Sequence, residues 1–189
     1  HKTFISYHHA NDQWAKEELI DLNEENSIFI DKSLPLDGIS ETKEDGSRKT
    51  DDEIRIEIRD NYLRDTSVVL LLVGAETKNR KHIDWEIYSS MRDSPKNKQS
   101  SIVVIQLPDT NSRYRIIPYS EQYKKEMYPD FNWTPISSQT EYELRFPYLP
   151  DRIIDNLCTN KSKIAVICWS DLLDETGQLC SDKIRRLIN

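Results

Sequence analysis

Val68-Val-Leu-Leu-Leu-Val73, then Gly74-Ala-Glu-Thr-Lys-Asn-Arg80, then His82-Ile-Asp-Trp-Glu86-Ile-Tyr88 read as a strand, a turn and a helix. An unbroken apolar run closed by a glycine predicts a strand buried on both faces, because a half-exposed strand would alternate. Past the glycine the apolar positions fall at Ile83, Ile87 and Met91, the one-sided spacing of a helix. At about 100° per residue, Glu86 sits about 100° from the centre of that stripe, which predicts a carboxylate at the rim of the helix. His82, one turn earlier, shares its side. Trp85 falls on the outward side, which predicts an interface or a cover from the aromatic-rich part of the chain. Ligands of open α/β sheets bind at the carboxyl ends of strands, so Glu86 is a candidate site residue.

Working outward, Thr3-Phe-Ile-Ser-Tyr7 reads as a strand, followed by a helix from about Asp12 with Ala15, Leu19 and Leu22 on one face. Ser27-Ile-Phe-Ile30 is expected as a second strand. A long polar loop follows from Asp31 to Lys49, carrying Pro35, Gly38 and Gly46. Loops of that length inside a domain are usually functional or mobile. Thr50-Asp-Asp-Glu53 is a capping box opening a helix that carries Ile54, Ile58 and Tyr62. The first helix after Gly74 is expected over 81–91. Ser101-Ile-Val-Val-Ile-Gln106 is a fourth strand, Ile164-Ala-Val-Ile-Cys168 a fifth, with helices near 151–158 and 182–188. Between them, 108–150 holds Pro108, Pro118, Pro129, Pro135, Pro147 and Pro150 among many aromatics. That composition is too aromatic for a linker and predicts irregular structure wrapped over the domain. Alternating strands and helices predict a mostly parallel five-stranded sheet with helices on both faces. The chain is one domain, 1–189, with its core in 1–107 and 151–189.

Composition removes several functions. With 189 residues, a net charge of -7 and a pI near 5.2, the chain lacks the basic stripe that nucleic acid requires. Three cysteines, Cys158, Cys168 and Cys180, in no C-x-x-C spacing make a disulfide framework or zinc site unexpected. With no run of membrane-spanning length, a cytoplasmic protein with no membrane partner is expected. The first strand ends in Ser6-Tyr7-His8-His9, whereas all four glycines lie elsewhere, so neither a dinucleotide fingerprint nor a P-loop is present. A phosphorelay receiver would end its third strand in Asp, and here the chain reads Val73-Gly74-Ala75. Adjacent histidines point in different directions on an extended chain and no H-x-x-x-H pair exists, so no metal site is expected. What remains near one sheet edge is an aromatic, two histidines and a carboxylate. Tyr7 can equally be a packing aromatic, and His8 and His9 polar residues where the chain leaves the sheet.

These residues together resemble a TIR domain. Phe4-Ile-Ser-Tyr7 resembles the first-strand signature of that family, Ile28-Phe-Ile-Asp31 its second strand, and Trp85-Glu86-Ile87 falls where the family keeps its glutamate. The chain is more closely similar to the TIR-like sensor proteins of bacterial Thoeris antiphage defence. Ile5-Ser-Tyr-His8, Asp31-Lys-Ser-Leu34 and the stretch from Gly74 through Thr77, Asn79 and Arg80 to Ile87 carry that likeness. Four residues before the glutamate the family often has Trp; here it is His82.

The resemblance implies a flavodoxin-like TIR fold and an enzyme that takes NAD as substrate, without a cofactor. It implies Glu86 as the catalytic residue and Ser6, Tyr7, His8, Asp31, Ser33 and His82 as substrate-binding residues. The expected products are nicotinamide and an ADP-ribose-derived nucleotide, a cyclic isomer or a conjugate, that activates a separate effector protein; attack by water would give ADP-ribose itself. The loop from Asp31 is expected to act across subunits of a homo-oligomer. A non-catalytic TIR adaptor is the other expectation.

Overall fold

The computed structural model describes residues 1–33, 40–93, 98–118, 121–131, 133, 135–159 and 164–189. Strand β1 (Lys2–Ser6) leads to helix α1 (Gln13–Asn26) and the short β2 (Ile30–Asp31). Helix α2 (Asp51–Glu57) continues as a π-helical turn over Ile58–Tyr62. Then come β3 (Val68–Val73), α3 (Lys81–Ser90) and β4 (Ser101–Gln106). Helices α4 (Glu121–Met127) and α5 (Gln139–Arg145) lie in the irregular segment. Helix α6 (Asp151–Thr159), β5 (Ile164–Cys168) and α7 (Ser181–Ile188) close the chain. The strands pair in parallel in the order β2-β1-β3-β4-β5, the flavodoxin-like order.

Strands β1, β3, β4 and β5 are buried on both faces, as their apolar runs require, while the β2 edge is exposed. Val69, Leu71 and Val73 face a core closed by α2, α3 and α6, with Ile54, Ile83, Ile87 and Ile153 among its members. Val68, Leu70 and Leu72 face the opposite core, closed by α1 and α7 through Ala15, Leu19, Ile184 and Leu187. The same alternation in β1 puts Phe4 on the α3 side and Ile5 on the α1 side. Ser6, two residues after Phe4, therefore points toward α3. No helix among the described residues is long and apolar enough to cross a membrane.

The second strand departs from expectation. Ser27 sits at φ 50° and donates its N–H to the Asn23 carbonyl, closing α1 as a left-handed cap. Asn23 Oδ1 then accepts from the N–H groups of Ile28 and Phe29, at 2.9 and 2.8 Å. These donors are taken by the end of the helix, so the ladder begins only at Ile30. The capping box at Thr50 and Glu53 forms as expected, with both reciprocal hydrogen bonds present. In the polar loop, Leu34, Pro35 and Gly38 lie outside the described residues. Residues 40–49 form a small hairpin, with Thr42 bridging Arg48 and Gly46 at φ 80° in its turn. In the aromatic-rich segment, Ile116 pairs antiparallel with Val166 and covers the outer edge of β5.

Candidate active site

In this strand order the topological switch falls between β1 and β3, and of the candidate residues Ser6, Tyr7, His8, His82 and Glu86 lie there while Asp31 and Ser33 do not. Ser6 ends β1 on the α3 side and donates its hydroxyl to Glu86 Oε2 at 2.5 Å. Glu86 Oε1 is buried with no hydrogen-bond partner. The carboxyl is fully enclosed, at 0% exposure, which corrects the expectation of a rim position. One apolar stripe underestimates what α3 buries: the helix shares a core with β3 and also contacts both α2 and α6. Ile83, Trp85, Glu86, Ile87, Ser89 and Ser90 are consequently all buried. Trp85, expected on the outward side, belongs to the core that Phe146 and Leu149 of the aromatic-rich segment also fill. The cover, rather than the interface, is what the packing provides.

Burial sets the electrostatics. Desolvation lifts the Glu86 carboxyl from its ordinary 4.5 to about 8, and the Ser6 hydroxyl opposes that rise. Neither neighbouring cation neutralises it, because Lys81 donates to Asp51 and Arg80 to Glu76.

A cleft of about 330 Å³ opens beside the end of β1, lined by Tyr7, His8, His9, Arg80, His82 and Ile83. Glu86 follows His82 and Ile83 by about one turn along α3 and does not itself line this cleft. His8 is nearly buried, and its Nδ1 has no hydrogen-bond partner. Tyr7 packs into the α1-side core, donates its hydroxyl to Gln13 Oε1 at 2.8 Å and lies against the His9 ring, 4.3 Å between centroids. His82 is exposed and meets the edge of Trp85 at 5.1 Å. Asp31 and Ser33 do not line the cleft. Asp31 Oδ1 accepts from the Ser33 N–H, and Ser33 Oγ accepts from the Ile5 N–H, both at 2.8 Å. Together they carry the contact with β1 two residues past the end of β2. Among the described residues no cluster of three His, Cys, Asp or Glu side chains is placed to hold a metal.

Sequence reasoning passed over a second buried carboxyl. Asp12, 3% exposed, accepts from Thr77 Oγ1 at 2.9 Å, and the same hydroxyl accepts from the Gly74 N–H. Burial raises the Asp12 carboxyl against the opposing Thr77 bond, and the nearby Asp109 charge adds to the rise. Gly74 is required by this packing: a Cβ there would stand 2.4 Å from Asp12 Oδ1. The Gly74 and Thr77 spacing in the sequence was the available signal. Gly74→Ala is expected to destabilise the fold by about 1–3 kcal/mol through overpacking. A urea midpoint equal to that of the parent would contradict this packing.

Residues 4–112, more than half of the chain, match the family model described as Thoeris protein ThsB, TIR-like domain. No curated protein matches the chain. The matched span runs from β1 to just past β4 and includes Ser6, Glu86 and the whole switch-point crevice. With that match laid over a five-stranded parallel sheet in flavodoxin-like order, the chain belongs to the TIR-like domain family of the Thoeris protein ThsB, and so to the TIR proteins of antiphage defence.

Proposed function

We propose that this chain cleaves the bond between nicotinamide and ribose in NAD, with Glu86 as its catalytic residue. The observation that carries the reading is the buried Glu86 carboxyl at the β1/β3 switch point, held by one hydrogen bond from Ser6 and with its other oxygen unpartnered, whereas the neighbouring Asp12 carboxyl is tied to Thr77. The reaction suits such a site. The C1′–N bond breaks with its electron pair leaving on nicotinamide, a neutral pyridine that needs no strong acid. The ribosyl cation that develops needs a nearby anion and a held ribose, which one carboxylate supplies. A hydroxyl of the adenosine ribose, another small nucleophile or water then bonds to C1′ and releases its proton. The product is an ADP-ribose-derived messenger for a separate effector. His8 Nδ1, buried and unpartnered at the cleft, is assigned to a ribose or phosphate oxygen. Tyr7 and His82 are assigned to the cleft walls. Asp31 and Ser33 take a positioning role, fixing where the 31–49 loop leaves the sheet; that loop is the proposed route to self-association.

In the enclosed state Glu86 meets no ligand and, with a pKa of about 8, is mostly protonated at neutral pH. Turnover therefore needs the segment after β1 to shift, exposing and ionising the carboxyl in one motion. A second reading, a non-catalytic adaptor, is favoured by the same burial. The two separate by nicotinamide release from NAD, followed together with the mass of the other product, in the parent and in Glu86→Gln under conditions that trigger the defence. Ser6→Ala adds a positioning test. Losing a hydrogen bond that lowers the Glu86 pKa should move the ascending limb of kcat/KM to higher pH. An unmoved limb would remove Glu86 ionisation from the mechanism.

A further inference from the structure

Two adjoining cavities in the aromatic-rich segment lie apart from the Glu86 crevice. The smaller, about 230 Å³, is walled by Arg113, Arg115 and Arg145 together with Tyr114, Phe131 and Trp133. The larger, about 450 Å³, shares Arg115 and Trp133 and adds Tyr142, Lys124 and Glu121, the last two ion-paired at 2.7 Å. Small-ligand sites typically run about 300–1,000 Å³, so the pair is of a size to hold a compact metabolite. Both open on the carboxyl-end side of β5, three strands from β1, or about 14 Å across the sheet at the usual strand spacing.

Cations and rings are interleaved throughout. The Arg115 guanidinium lies 5.0 Å from the Phe131 centroid, Arg145 lies 5.3 Å from Tyr114, and Lys124 lies 5.5 Å from Trp133. One wall is rigid. Arg115 donates two hydrogen bonds of 2.6 Å to Asp171, whose Oδ2 also accepts from the Cys168 N–H at the end of β5. The opposite side is open: Arg113 is exposed and Tyr114 is 45% exposed. In a chain of net charge -7, the smaller cavity is lined by three arginines and no acidic residue; Arg115 is paired to Asp171 and Arg145 to Glu141 behind the wall, and Arg113 stands at the open side. A site for an apolar ligand would not gather arginines, and a site for a bare anion would not line itself with rings. Planar faces for stacking beside guanidinium groups for a phosphate are what a nucleotide requires.

We propose that this cavity pair is a second ligand site, taking a nucleotide whose base lies against Phe131, Trp133 and Tyr114 and whose phosphate meets Arg113 and Arg145. The ligand is either the adenylate half of the same substrate or a separate nucleotide. The proposal does not depend on NAD cleavage, since a mononucleotide carries no nicotinamide bond to break. AMP and GMP binding to the full chain, measured by calorimetry, tests it. Saturable binding to the parent and to Glu86→Gln is expected, weakened about tenfold in Arg113→Glu and in Trp133→Leu. Arg113 is at the surface, so its variant keeps the test valid if Trp133→Leu fails to fold. Absence of binding by either nucleotide to the parent, or equal binding by Arg113→Glu, overturns the site. Where NAD is turned over, competition by AMP assigns the cavity to the substrate's own adenylate; a change in rate without competition assigns it to a separate nucleotide.

Discussion

Glu86→Gln is expected to lower nicotinamide release from NAD by about a thousandfold, the scale seen when a group that stabilises developing charge is removed. Gln keeps the shape and can still accept from Ser6, so the loss would report charge and not collapse of the crevice. Retention of full turnover by the variant would place the chemistry elsewhere. The same substitution has a stability signature of its own. The folded Glu86 carboxyl has its pKa raised from 4.5 to about 8. Between those values the folded chain keeps a proton that the unfolded chain releases, so this group's stabilising contribution is lost as pH rises and levels off above about 8. By pH 7 the deficit is on the order of 3 kcal/mol. Gln does not titrate, so the stability of Glu86→Gln relative to the parent should climb from pH 5 to 8 and flatten beyond. Urea unfolding at pH 5, 7 and 9 measures this, and a difference independent of pH would mean Glu86 is not enclosed as described. Any fixed cost of burying the new amide cancels from the slope. Activity and stability thus pull in opposite directions at one residue, as expected of a site that stores destabilisation for function.

Trp85→Ala is expected to cost about 3–5 kcal/mol, the range for truncating a large buried aromatic. The ring is 1% exposed, with the Lys81 ammonium 4.6 Å from its centroid and the His82 ring at its edge. It shares its core with Phe146, Leu149, Ile153 and Ile154. Had Trp85 faced solvent, as its helical angle alone suggests, the change would fall within about 0.5 kcal/mol. A small effect would therefore remove the aromatic-rich segment as the cover of α3. Because Trp85 and Glu86 are adjacent on that helix, loss of the ring should also loosen the enclosure of the carboxyl.

The chain's strands differ in how far they could be read. The boundaries of β3, β4 and β5 follow from apolar runs that only a two-sided core can satisfy, and they appear at Val68–Val73, Ser101–Gln106 and Ile164–Cys168. β2 could not be placed the same way, since its first donors are claimed by the Asn23 side chain five and six residues back. Likewise Glu86 was legible as a candidate from its address after β3, while its partner Ser6 sits eighty residues away. For Asp12 the signal lay more than sixty residues away, in the Gly74 and Thr77 pair whose hydroxyl and missing side chain make room for it.

The alternation of strands and helices and the two-sided burial of the central strands were readable from the amino-acid order alone, because they depend on periodicities of two and 3.6 residues that are local to each element. Only the tertiary structure decided that Glu86 is enclosed and shifted toward the neutral form, that Trp85 is core, and that arginines and aromatics of the 108–150 segment converge on one cavity. Each of those depends on how many elements pack around a given helix or loop, and a single helical stripe carries no record of a second or third neighbour.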